Sequence, residues 1–68
     1  MKTIVWKEKK KDNLIIYYDI IPNFFIAKAI LKIDNVSIQT DIFLFDTFEE
    51  VESFFENLKN DIFKHLLE

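Results

Sequence analysis

The chain has no cysteine, no glycine and no arginine, and only one proline and one histidine among its 68 residues. Each absence excludes something. Without cysteine there is neither a disulfide framework nor a thiolate metal site, and the lone His65 cannot anchor a histidine-rich metal cluster. Without glycine there is no phosphate-cradling loop of the P-loop or dinucleotide type. Asp and Asn must therefore supply any residue that needs positive φ. Without arginine the chain lacks the planar fork that sequence-specific nucleic-acid readers usually recruit. Ser37 and Ser53 have no second histidine to serve as a base, and no pair of carboxylates carries a motif. No catalytic constellation emerges, and no cofactor or metal is expected.

What is present is core material. Half the residues are hydrophobic and eight are Phe, too many for a disordered chain. A single domain spanning 1–68 is expected, near the small end of what folds alone. Domains this small usually add disulfides, a metal or oligomerisation. Only oligomerisation or partner binding remains open to this one.

Charge is distributed unevenly along the chain. The net charge is −3, but residues 1–32 hold seven Lys against three acids, while residues 33–68 hold two Lys against nine acids. The first half is basic and the second acidic. The start, MKTIVWKEKKKD, has no apolar stretch before a small-residue cleavage site, so no targeting segment is expected. Leu14 to Ile33 is oily, yet Asp19, Pro22, Lys28 and Lys32 interrupt it and period-two alternation fits it better than a span. The default expectation is a soluble, cytoplasmic protein without membrane association.

Turn signals at 9–13, Pro22-Asn23 and Asp34-Asn35 separate four runs rich in Ile, Val, Phe and Tyr. Strands are expected near 2–8, 14–21, 24–33 and 36–45. A two-residue turn at Asp34-Asn35 pairs Ile33 with Val36, Leu31 with Ile38 and Ala29 with Thr40. Continued without a break, it sets Ala27 against Ile42 and Phe25 against Leu44 on a core face. On the opposite face it sets Lys28 against Asp41, Ile26 against Phe43 and Phe24 against Phe45. Turning at Pro22-Asn23 places Ile20, Tyr18, Ile16 and Leu14 on the same core face. Proline cannot take the first position of the primed turns that tight hairpins prefer, so a bulge is expected there. The first hairpin has two solutions. A five-residue lysine loop buries Ile4 and Trp6, whereas a tight Asp12-Asn13 turn puts Val5 on that face instead. The longer loop is expected, because it costs little entropy and buries the indole.

From Thr47 the period becomes helical: Phe48, Val51, Phe55, Leu58, Ile62 and Leu66 share a stripe, with Phe54 at its margin. Thr47-Phe-Glu-Glu50 has the form of a capping box, and the helix is expected to reach about Leu67. The fold class is α+β, a two-layer ββββα arrangement in which a four-stranded antiparallel meander packs one face against a C-terminal helix.

The face away from the helix is then the informative one. Ile15, Tyr17, Phe24, Ile26, Ile30, Phe43 and Phe45 are expected on it, and exposed apolar patches of a few hundred Å² or more mark interaction sites. These residues are the candidate protein interface, with a homodimer through this face as the expected assembly. Glu49, Glu52 and Glu56 on the acidic helix, with Phe63 and Leu67 off its main stripe, form a candidate second contact. The expected role is a small non-enzymatic protein-binding module, of the inhibitor, immunity or anti-defence kind, that occludes an unidentified protein partner. The alternative is a single-strand nucleic-acid binder that stacks bases on Tyr17, Phe24 and Phe43 while Lys7, Lys28 and Lys32 track phosphates. Net negative charge and the absence of arginine count against nucleic acid.

Overall fold

The computed structural model describes residues 3–66. In chain order the elements are β1 (Lys7–Lys11), β2 (Leu14–Ile21), β3 (Phe24–Ile33), β4 (Val36–Gln39), β5 (Phe43–Phe45) and α1 (Phe48–Leu66). The strands form one antiparallel sheet in the order β1-β2-β3-β4, with β5 continuing the β4 edge along the other end of β3. The helix, about 28 Å long at 1.5 Å per residue, packs on one face of it. This is the α+β meander-plus-helix architecture that the periodicities predict.

Two hairpins follow the expected register residue by residue. β2 and β3 pair from Leu14↔Leu31 to Ile21↔Phe24, and β3 and β4 from Ile33↔Val36 to Ile30↔Gln39. Asp34 takes φ 52° at the β3–β4 turn, the left-handed conformation that glycine would ordinarily supply. The bulge expected beside Pro22 does not form, since pairing runs unbroken to Ile21↔Phe24. A two-residue turn accommodates proline's fixed φ without an extra residue.

The first hairpin takes the tight solution. Lys11 pairs with Leu14 around Asp12-Asn13, with Asp12 at φ 54°, so the lysine run is itself a strand rather than a loop. This one-residue difference reverses every side chain. Lys9 and Lys11 now fall on the helix side, and Trp6 lies over the opposite face beside Lys28 rather than in the core. Pairing of Lys9 and Lys11 with carboxylates on the helix prevails over burial of the indole.

A second slip breaks the fourth strand. Thr40 pairs with Ala29 through its backbone N–H (2.9 Å), and its hydroxyl accepts from the Ala29 N–H at 3.0 Å and donates to the Asp41 carbonyl at 2.9 Å. Three residues on, Phe43 already pairs with Ala27. Asp41 and Ile42 together thus oppose Lys28, which is a bulge, and the parity of everything after it is inverted. Phe43 and Phe45, expected on the face away from the helix, lie on the helix side. Leu44, expected in the core, pairs with Ile26 on the far face.

The core lies between β2, β3 and the helix. Leu14, Ile16, Ala27, Ala29, Val51 and Phe55 are buried, with Tyr18, Phe25, Phe45, Phe48 and Leu58 packed around them. Ala27 and Ala29 have no exposed surface and let Phe55 approach the strand closely. Thr47 caps the helix, its Oγ1 accepting from the Glu50 N–H at 3.2 Å, while the Glu50 carboxylate reaches back to the Asp46 N–H at 3.3 Å.

Candidate functional site

What covers the far face decides where a partner could bind. Asp19, on that face near the end of β2, is 5% exposed. Its carboxylate accepts the N–H groups of Val5 (3.1 Å) and Ile20 (2.8 Å), and Lys7 Nζ stands 3.7 Å away. The bond to Val5 ties residues 3–6 back onto the sheet. Beside it Lys28 Nζ lies 4.7 Å from the centre of the Trp6 ring and 6.0 Å from that of Tyr17, within cation–π range. Asp19 and Lys28, two of the charged residues on this face, therefore serve as fasteners for residues 3–6. The pairing of Lys28 with Asp41 expected from an unbroken register gives way to this stacking.

The seven candidate interface residues consequently separate. Ile15 (5% exposed) and Ile26 (9%) are buried within the monomer. Tyr17, Phe24 and Ile30 are half-buried on the far face. Phe43 and Phe45 belong to an aromatic cluster on the helix side: Phe43 lies 5.0 Å and Phe45 5.4 Å from Phe54, and Phe45 is 5.9 Å from Phe55 (ring centroids). Such offset and edge-on contacts contribute about 0.5–1.5 kcal/mol each beyond area burial.

The second candidate contact divides as well. Glu52 pairs with Lys9, and Glu56 with Lys11 (2.9 Å) and Lys59 (3.1 Å). Hydrogen bonds from these two lysines hold the Glu56 carboxyl below the usual carboxylate range, and Glu56 in turn raises Lys11. Glu49 is exposed, Phe63 is half-buried, and Leu67 lies outside the described residues. The acidic strip thus closes much of its charge against the protein's own lysine strand.

The apolar surface left over was missed by the unbroken register. Ile42 is 53% and Leu44 63% exposed, with Phe43 and Phe54 partly exposed around the corner on the helix side. Leu44 also joins Phe24, Phe45, Asp46 and Glu50 in lining a shallow notch at the β5 end of the sheet. The signal for this arrangement was available in Thr40-Asp41: aspartate is disfavoured in strand interiors and marks a place where pairing can break. A second apolar cleft, lined by Leu14, Leu31, Ile38, Leu58 and Ile62, opens between the helix and β4. Among the described residues no group of His, Asp and Glu could hold a metal ion, and no helix is long and apolar enough to cross a membrane. No family model, curated protein or solved structure matches the chain.

Proposed function

We propose that the protein is a non-enzymatic protein-binding module that occludes its partner with the β5 end of the sheet. The observation that carries this reading is exposed Leu44, two residues from exposed Ile42, lining a notch whose other walls include Asp46 and Glu50. Apolar floor beside carboxylates fits a partner that presents an apolar side chain flanked by Lys or Arg. Desolvated apolar contact supplies affinity, and the acids set orientation and encounter rate. An accessory role of the inhibitor or immunity kind is consistent with a small rigid domain whose only work is contact. Single-strand nucleic-acid binding is the weaker reading, because Lys28, Lys9 and Lys11 are committed to Trp6, Glu52 and Glu56.

The test is affinity capture from native host extract with wild type and with Leu44→Glu, in parallel with titration of a mixed single-stranded oligonucleotide pool at low salt. A protein retained by wild type and lost with Leu44→Glu is the expected result. Oligonucleotide binding with no Leu44-dependent protein would replace this reading with the nucleic-acid one.

A further inference from the structure

The sheet has two edges of opposite character. β1 is KEKKK, four lysines and a glutamate, the kind of edge that repels an incoming strand. β4 is Val36-Ser-Ile-Gln39, with no charge, no proline and every residue exposed. Val36 is 60% and Ile38 37% exposed, and Ile38 also borders the apolar cleft under the helix. From these edges we infer that a second copy of this chain adds to β4, antiparallel and across a two-fold axis normal to the sheet. The inference extends the reading of the chain as a protein-binding module to a second copy as partner.

The backbone specifies the register. The Thr40 N–H bonds to the Ala29 carbonyl, so Ala29↔Thr40 is a hydrogen-bonded pair. Pairs alternate along an antiparallel ladder. Hence Leu31↔Ile38 and Ile33↔Val36 also point their peptide groups inward, while Ser37 and Gln39 point theirs at the open edge. Residues facing each other across the axis must share a sheet face, so the axis passes through a residue rather than between two. An axis at Ile38 sets Ser37 against Gln39 of the second copy twice over, for four backbone hydrogen bonds. An axis at Ser37 gives one such pair, and its next falls on the turn residue Asn35. The first register is therefore preferred. It brings Ile38 against its own copy in a non-hydrogen-bonded pair, where side chains approach most closely.

Charge favours this edge and not the other. Two uncharged β4 strands meet without repulsion, whereas two β1 strands would bring eight lysines together. The product is one antiparallel sheet in the order β1-β2-β3-β4-β4-β3-β2-β1, both helices on one side and a lysine strand at each end. With both outer edges guarded, growth stops at two copies. The bulge at Thr40–Ile42 limits the shared strand to Val36–Gln39. Such a contact falls near or below the roughly 1,000 Å² of stable interfaces, so reversible association in the micromolar range is expected.

Proline at Ser37 removes only an outward-facing N–H, the placement in which edge strands tolerate it. Sedimentation equilibrium up to high micromolar concentration is expected to show a monomer–dimer equilibrium for wild type. Ser37→Pro should weaken it by about tenfold or more while circular dichroism stays unchanged. A charge pair guards against a folding artefact. Ser37→Lys with Gln39→Lys should abolish the dimer, because like charges then face each other across the axis. Ser37→Lys with Gln39→Glu should retain it, because each introduced lysine then faces the glutamate introduced in the second copy. A wild type that remains monomeric overturns the inference. So does a dimer indifferent to Ser37→Pro, or one lost equally in both charge variants. Leu44→Glu lies outside the shared strand. Partner capture that depends on Leu44 in a strictly monomeric protein would remove the dimer alone, and a dimer without such capture would remove the proposed function alone.

Discussion

The two flanks of the helix are held by different physics. Toward β1 the seam is ionic: Lys9 to Glu52 and Lys11 to Glu56, with Lys9 also 5.2 Å from the Phe48 ring centre. Toward β5 the seam is aromatic, Phe43 and Phe45 against Phe54 and Phe55. The basic first half of the chain and the acidic second half meet at the first seam, where part of the charge asymmetry of the sequence is paired within the fold. Exposed ion pairs contribute about 0–1 kcal/mol, whereas a buried aromatic contributes several times that. The aromatic seam therefore holds the helix, and the ionic seam fixes its lateral position.

The comparison can be broken most sharply at Phe55, which has no exposed surface and reaches both the core and the aromatic seam. Phe55→Ala is expected to cost about 3–5 kcal/mol in denaturant titration, enough to unfold much of so small a domain at room temperature. Thr47→Ala, which removes the acceptor for the Glu50 N–H, should cost about 0.5–2 kcal/mol. An unchanged midpoint would place the functional cap elsewhere. A double-mutant cycle with Phe43→Ala and Phe54→Ala should return a coupling of about 0.5–1.5 kcal/mol that salt does not alter. The same cycle with Lys9→Ala and Glu52→Ala should return about 0.2–1 kcal/mol at low salt and shrink toward zero in molar salt. Equal salt sensitivity at the two seams would erase the distinction. Smallest is the pH effect of Glu56, whose pKa is lowered on folding by Lys11 and Lys59. A lowered carboxylate stabilises the fold above its unfolded value and loses that contribution as pH falls through the folded one. Glu56→Gln should therefore lower the neutral plateau slightly and converge on wild type as pH falls, which flattens the acid limb of the stability–pH curve.

How far the sequence is legible depends on whether a local rule decides between adjacent registers. At Asp34-Asn35 and Pro22-Asn23, turn residues and face pattern agree, and the expected pairs form residue by residue. At the first hairpin the pattern favoured burying Trp6, and the decisive interactions were long-range: lysines meeting helix carboxylates forty-odd residues away. From Ile42 to Phe45 every residue is apolar, so Ile42 and Leu44 or Phe43 and Phe45 serve equally as a core face. The choice fell to Phe54 and Phe55, which present rings only to the slipped register. Phe43 and Phe45, expected on the far face, accordingly lie on the helix side. The attachment of residues 3–6 to the far face depends on one carboxylate accepting from a backbone amide, which no periodicity reports.

β3 is bordered along its length by β2 on one side and by β4 and β5 on the other, while residues 3–6 are attached to the far face chiefly through Asp19, Trp6 and Lys28. Opening free energies within one fold range from near zero at such attachments to the global value at the central strand. Amide exchange should therefore be slowest at Ala27, Ala29 and Leu31 and markedly faster at Val5. The single tryptophan sits in the fast-opening part, so its fluorescence reports detachment of the cover rather than loss of the fold. Detachment of residues 3–6 and loss of the helix layer should therefore be separately readable in one molecule, the first from Trp6 fluorescence and the second from helical circular dichroism.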